Sequence, residues 1–401
     1  MKRNRILYFS LFTLALLFVY FYGGKIPYMF FYAVLITPLV SILLTTIAFF
    51  RFTYFEEIDK ISIVKGEELN YSLNICNEDF FLYPYINLTF STGNVFLGKQ
   101  LEKQSFSMFP FSKKTFQFKA VAKYRGEYEI GIKSIEFEDY LGILKLTHKP
   151  QSSKVIKVHP RIVELSGIKL KSMLLSESHS IPNTLFESTN TMSDIREYIY
   201  GDSIKRIHWK LSSKMNKLLV KKFDATSKSN SALILDLTKL SYSPEEILSI
   251  EDTLIECVVS FAYYLLGSWA NISLIYYKDK YTEIKAQNIL QFQNIYDILT
   301  RITFTQDAVE VKDLLSMYVQ NNSLKKSNIL LFTSSVNSDL FDELYKATLA
   351  GFDVNLIYVS KNGENEPYNE ENARMLKELP EIGVTAYKIS VEDDIKEIFC
   401  S

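Results

Sequence analysis

Two uncharged apolar runs open the chain. Residues 6–22 approach the roughly 20 residues that a helix needs to cross a bilayer, and residues 26–50 are long enough to cross with tilt. Gly23-Gly24-Lys25 breaks the chain between them. Beyond residue 55 the pattern shortens. Runs of β-branched and aromatic residues at 60–64, 69–75, 85–90, 115–122, 128–135 and 143–148 are separated by turn signals, and several alternate as half-buried antiparallel strands do. Residues 161–195 are rich in Ser, Thr and Asn and lack periodicity, so they read as a linker. From residue 224 strand-like runs alternate with helical spacing. Strands are predicted at 231–237, 271–277, 328–333, 354–359 and 384–389, and helices at 249–267, 294–302, 308–319, 338–350, 370–379 and from 392. The pattern predicts a two-helix transmembrane hairpin over 1–51 and a small antiparallel β-sandwich over 55–160. A linker over 161–195, a distinctive basic segment over 196–223 and a doubly wound α/β domain over 224–401 follow.

Charge then gives the hairpin a direction. Lys2, Arg3, Arg5 and Arg51 lie at the outer ends of the two spans and only Lys25 in the turn, so the positive-inside bias predicts both termini and the soluble region in the cytoplasm of a cell-membrane protein. No small-residue cleavage site follows the first run, which argues against a signal peptide. Acidic and basic residues nearly balance (46 against 45, formal charge −1), so no chain-wide basic field invites nucleic acid. The cysteines, Cys76, Cys257 and Cys400, show no CxxC spacing and imply reduced thiols. The four histidines are scattered, and no zinc site is expected.

The segment 196–223 reads REYIYGDSIKRIHWKLSSKMNKLLVKKF. Gly201-Asp202 is a turn signal. Asp202 is placed to cap a helix over 203–214 with Ile204, Ile207 and Leu211 on its apolar face, followed by a strand over 217–223. On the residues alone, Trp209 reads as core and Lys205, Arg206, His208 and Lys210 as a solvated face. Basic residues interleaved with aromatics also suit nucleic acid, a reading set low by the balanced charge.

The order Arg196, Tyr198, Gly201-Asp202, Arg206-Ile207, Trp209-Lys210 resembles the signature of the bacterial domain-of-unknown-function-58 family, approximately R-x-Y-x-x-G-D-x-x-R-x-I-x-W-K-x-S-A-R. Ser213 and Lys214 replace its Ala and Arg, and Lys lacks the planar fork of Arg. Arg125-Gly126-Glu127-Tyr128 and Asp139-Tyr140-Leu141-Gly142-Ile143 are similar to that family's RGxY and DPFGL elements, and Val158-His159-Pro160 to its V-Y-P exit. His159 is read as structural. The resemblance implies a membrane-anchored protein with a von Willebrand factor A-like domain, working with a MoxR-type AAA+ ATPase on an unknown client. It makes Arg196, Asp202 and Arg206 an ion-paired brace, with Trp209 anchoring it to the sheet.

Asp236, at the end of the first strand of the α/β region, starts an Asp-x-Thr loop with Thr238. This resembles the von Willebrand factor A metal loop D-x-S-x-S, whose oxygens hold Mg²⁺. Leu240 cannot ligate, Lys239 adds a positive charge, and residues 333–335 supply no carboxylate, so neither metal nor other cofactor is expected. No phosphate loop, GxSxG or HExxH motif occurs. The leading expectation is therefore a non-enzymatic scaffold or assembly factor acting through protein–protein contacts. The alternatives are an enzyme acting on a cell-envelope precursor, with His208 as base beside Asp202, and metal-dependent adhesion through Asp236.

Overall fold

A computed structural model describes residues 2–91, 103–150, 154–166, 192–198, 207–215, 217–223, 230–239, 242–268, 270–305, 308–322, 327–361 and 374–400. The chain divides into two units. One comprises Met1–Arg161 with Tyr296–Ile302, the other Ile162–Ile295 with Thr303–Ser401.

In the first unit α1 (Lys2–Tyr22) and α2 (Lys25–Arg51) are both long and apolar enough to cross a membrane. They turn at Gly23 (φ +53°) and Gly24 (φ +85°), a left-handed path that glycine takes without a Cβ penalty. The last turns of α2 enter the core of the domain that follows. Ala48 is fully buried, and the rings of Phe49 and Phe52 pack edge-on against Phe137, at 5.7 and 5.0 Å between centroids.

Ten strands then follow: β1 (Thr53–Ile58), β2 (Ser62–Val64), β3 (Glu68–Asn77), β4 (Tyr83–Phe90), β5 (Lys103–Met108), β6 (Ser112–Val121), β7 (Gly126–Ile130), β8 (Ile132–Glu138), β9 (Lys145–His148) and β10 (Lys154–His159). They form sheets ordered β1-β3-β6, β2-β10-β7 and β5-β4-β8-β9 around a core that includes Leu69, Tyr71, Leu73, Ile86, Leu88, Ile135 and Ile156. The single strand expected over 128–135 is two. Gly131 (φ +145°) lets the chain leave β10 as partner and join β4 as β8, switching sheets within one residue.

The corner after β8 is built on Asp139, which is fully buried. Its carboxylate accepts from the backbone N–H of Ile143 (2.6 Å), Leu144 (2.7 Å) and Leu141 (3.3 Å), and from the hydroxyl of Ser41 on α2 (2.8 Å). Asn4 and Arg5 of α1 donate to the carbonyls of Leu141 and Ile143. Gly142 (φ +67°) closes the turn, and a Cβ there would collide with Asn4. Tyr140-Leu141 in place of Pro-Phe leaves the turn intact, the Tyr140 hydroxyl donating to the carbonyl of Leu82.

The segment 296–302 completes this unit. Arg125 donates through Nε to the Leu299 carbonyl (3.1 Å) and through Nη2 to that of Ile302 (3.0 Å), taking up carbonyls that a helix end leaves unpaired. His159 is buried, stacked on Tyr296 at 4.8 Å between rings, with Thr300 Oγ1 (2.8 Å) and Ser62 Oγ (2.9 Å) on its two nitrogens. Burial holds its pKa below the usual value, with Lys157 and Arg301 acting in the same direction and Asp297 opposing. A base whose folded pKa is lowered binds its proton first in the unfolded chain. Its contribution to stability is therefore complete above about pH 6.5, the unfolded pKa, and is lost as pH falls below it. Melting of the detergent-solubilised protein between pH 7.5 and 5 should show that slope, at most about 1.4 kcal/mol per pH unit. His159→Gln should flatten it, and an equal slope in both proteins would refute the assignment.

In the second unit β11 (Met192–Glu197) and β12 (Leu219–Phe223) form a two-stranded antiparallel ribbon. The main sheet contains β13 (Asn230–Leu235), β14 (Asn271–Tyr277), β15 (Tyr281–Ala286), β16 (Asn328–Thr333), β17 (Asp353–Ser360) and β18 (Thr385–Ser390), in the order β15-β14-β13-β16-β17-β18. All neighbours are parallel except β15, an antiparallel edge strand that was not expected. Its sequence, YTEIKA, carries two charges and no continuous apolar run. Along β16, Ile329 and Leu331 join Leu314 and Leu315 of a helix at Val311–Asn321 and Leu340 and Leu344 of another at Ser338–Leu349. The intervening Phe332 meets Phe261 of the long helix Pro244–Gly267, which also contacts Phe399 of the terminal helix Ile395–Cys400. Side chains two apart thus share a face and helices cover both, which is why these strands are apolar throughout.

Candidate functional site

The signature segment is organised differently from the sequence expectation. Helix α3 runs over Trp209–Met215, starting six residues later than expected. Ile207 is buried outside the helix, in a bridge to Val220. The cap is His208, whose Nδ1 accepts from the backbone N–H of Leu211 (3.3 Å) while its own N–H donates to the Leu219 carbonyl (2.8 Å). With this start, Trp209 is 59% exposed, so it is neither core nor an anchor to the sheet. Lys210 is exposed as well. The inward position is Ser212, buried, its Oγ accepting from Leu219 N–H (2.9 Å) and tying the helix to β12. Ser212 is the Ser of the W-K-x-S pattern, and that match was its sequence signal.

Arg196 sits on β11 opposite Val220, and Tyr198, half-buried, donates its N–H to the Leu218 carbonyl (2.9 Å). Gly201, Asp202 and Arg206 lie outside the described residues, as does Leu240 of the Asp-x-Thr loop. The ion pair of Lys217 with Glu197 (2.7 Å) is solvent-exposed and adds little.

A second locus lies in the same unit where the strand order reverses, between β13 and β16. Open α/β sheets place ligand crevices there, beyond the carboxyl ends of the strands. A pocket of about 170 Å³ is lined by Asp236, Thr238, Glu310, Val311, Lys312, Ser335 and Asn337. Asp236 follows β13 and is 3% exposed. Its Oδ2 accepts from the Thr333 hydroxyl (2.6 Å) and its Oδ1 from the Thr238 N–H (2.9 Å), and burial pushes its carboxyl pKa up. Ser335 N–H donates to Thr333 Oγ1 (3.1 Å), so the loops after β13 and β16 share one hydrogen-bonded chain.

The remaining wall comes from two helix starts. Glu310 precedes the helix Val311–Asn321, and Asn337 caps Ser338–Leu349 by accepting from Leu340 N–H (2.9 Å). Lys312 reaches both Glu310 (3.0 Å) and Asp339 (2.6 Å), which raises its own pKa and lowers that of Asp339. Sequence reasoning found Asp236 and Thr238 but missed Glu310, Lys312 and Asn337. Their only signal was that the helix starts beside the switch point should face it.

Both Asp236 oxygens are engaged within the fold, position 240 is Leu, and the Lys312 ammonium occupies the same pocket. Among the described residues no three His, Cys, Asp or Glu side chains converge on a metal position.

Two helices long and apolar enough to cross a membrane, a strand-rich domain and a 3-2-1-4-5-6 mixed sheet preceded by a two-stranded ribbon define a class of multidomain α/β proteins. Residues 194–291 match the family described as "Protein of unknown function DUF58", and the chain carries that family's region, as the signature residues indicated. A relative, the "Uncharacterized protein YeaD" of Bacillus subtilis (strain 168), is 23% identical over 244 residues. The match covers 60% of this chain and 61% of the relative, so it spans about three-fifths of each. Among solved structures, the chain is similar to the CARDB domain of a Pyrococcus furiosus protein in complex with di-metal ions (14% identity, 27% of this chain, 93% of that chain, TM-score 0.19). Another likeness is to Spo0M, the sporulation control protein of Bacillus subtilis (16% identity, 27% of this chain, 50% of that chain, TM-score 0.18). Scores this low leave both likenesses without bearing on fold or function.

Proposed function

We propose that this protein is a non-enzymatic, membrane-anchored docking module whose six-stranded domain is von Willebrand factor A-like and receives a partner protein at the Asp236 crevice. The strand order with its antiparallel edge supports the domain assignment. The observation that carries the docking role is the state of the crevice itself. Its carboxylate is satisfied inside the fold and its lysine is held by two acids, leaving a polar, shaped surface without a nucleophile–base pair. His208, the base of the enzyme alternative, has its Nδ1 engaged in capping α3. The family resemblance points to a MoxR-type AAA+ ATPase as partner and to an unidentified client. The flanking charges Lys2, Arg3, Arg5 and Arg51 support a cytoplasmic soluble region.

The test is affinity purification of the full-length protein from detergent-solubilised membranes with ATP, followed by mass spectrometry. An AAA+ ATPase should be recovered with the parent protein and lost with Glu310→Arg, a change at an exposed rim position that should leave melting unaltered. Absence of such an ATPase, or equal recovery with Glu310→Arg, would overturn the reading.

A further inference from the structure

The Asp139 corner marks one level on both helices of the hairpin. Ser41 of α2 donates to the Asp139 carboxylate (2.8 Å), while Asn4 and Arg5 of α1 donate to the carbonyls of Leu141 (3.1 Å) and Ile143 (2.8 Å). The two helices leave the Gly23-Gly24 turn side by side, so positions 5 and 41 lie nearly equally far from it. On α1 the charge pattern changes at this same level. Lys2, Arg3 and Arg5 are exposed on one side of it, and the exposed apolar run of Ile6, Leu7 and Phe9 begins on the other.

On α2 the sequence shows no such change, since its uncharged run continues to residue 50. Past Ser41, however, the helix belongs to the strand-rich domain. Thr45 and Ala48 are fully buried, and Phe49 packs on Phe137. On the turn side of Ser41, Leu35, Ile36 and Leu39 face outward instead. The apolar lengths clear of the domain are therefore residues 6–22 and 26–40, about 25 and 22 Å at 1.5 Å per residue. A hydrocarbon core is about 30 Å thick. A hairpin short by roughly 5–8 Å thins the bilayer around it and draws in the groups that flank it. It has no spare length with which to hold the domain off the surface. At the turn, Tyr20, Tyr22 and Tyr28 are exposed beside Lys25, side-chain types that settle at the opposite interface.

We propose that the boundary of hydrocarbon and headgroups runs through the Asp139 corner, where the strand-rich domain rests directly on the bilayer. Tyr140 lies among the headgroups, and Lys2, Arg3 and Arg5 face lipid phosphate. The occupant of this surface is the phospholipid headgroup. Arg5 ties the corner through its Nε, and an arginine fork can hold a phosphate along its other edge. Residues 42–51 of α2 stand outside the bilayer as part of the domain. This inference rests on the hairpin spanning the bilayer.

Phe50 separates this boundary from one at the end of the uncharged run. It is 79% exposed and lies about 14 Å beyond Ser41 along the helix, past the roughly 5–8 Å that headgroups add on each side. The test uses the full-length protein in phospholipid vesicles, with Ile36→Trp, Tyr140→Trp and Phe50→Trp made singly and fluorescence read as the excess over the parent protein. One set of vesicles carries a nitroxide on the lipid headgroup, another carries it midway along the acyl chain. Position 36 should be quenched mainly by the chain label and position 140 mainly by the headgroup label. Position 50 should be quenched severalfold less than 140 by either. Equal quenching at 50 and 140 would move the boundary to the end of α2 and overturn the proposal. Water-like, unquenched emission at 140 with chain-label quenching at 36 would lift the corner off the membrane, overturning the seating while leaving the hairpin in place. No quenching at 36 would remove the hairpin reading and this inference together. Should Tyr140→Trp melt abnormally, Arg3→Trp probes the same level with the same expectation.

Discussion

Asp139→Ala is expected to destabilise the first unit by about 3 kcal/mol, on the order of 10 °C in melting temperature. The carboxylate is fully buried and receives three backbone N–H groups and one hydroxyl. Alanine removes the acceptor while the donors stay in place, and each buried donor left unpaired carries a desolvation cost. Asp139→Asn should fall between, since it keeps one carbonyl oxygen and brings an NH₂ that faces donors. The effect should also reach α1 and α2, because Ser41, Asn4 and Arg5 all bond to this corner. Thermal melting in detergent, with hydrogen exchange at Ile143 and Leu144, measures both. A loss below 1 kcal/mol would mean that the corner holds its shape without the carboxylate.

Arg125→Ala is expected to cost about 2–3 kcal/mol, the range of hydrogen bonds from a charged donor whose acceptors become orphaned. The guanidinium spans two carbonyls of the segment 296–302, and its positive charge lies at a helix C-terminal end, where the macrodipole favours cations. Arg125→Lys should rescue only in part, since a single ammonium cannot reproduce the two-point geometry. Hydrogen exchange should show residues 299–302 losing protection first, and uniform loss across the chain would point to a general unfolding effect instead.

What the sequence made legible follows burial. β13, β14 and β16 stood out because strands covered on both faces must be apolar along their length. The long helix Pro244–Gly267 stood out by its sustained 3.6-residue spacing, although it begins five residues before the expected start, at a Pro following Ser243. β15 escaped because an edge strand with one wet face need not look apolar. Trp209 was misplaced for a different reason. Its side chain says only that it is large and apolar, and whether it faces in or out is set by where α3 begins, which His208 decides through a tertiary hydrogen bond to Leu219. In the crevice, Asp236 was readable from strand-end position alone. Glu310 and Lys312 were not, because nothing local distinguishes a helix start that faces a switch point from any other.

The membership of residues 296–302 in the first unit sets an order on biosynthesis. Domains emerging from the ribosome tend to fold in sequence as each is completed. Here the strand-rich domain is fully translated by residue 161, but the carbonyls for Arg125 and the ring beneath His159 emerge only after most of the second unit's first half. At ordinary elongation rates that wait is roughly 7–27 s, during which the nascent first unit stands with one of its edges unfinished. A ribosome stalled between residues 161 and 296 would hold a first unit more sensitive to protease than the mature protein, and extending the chain past residue 302 should protect it.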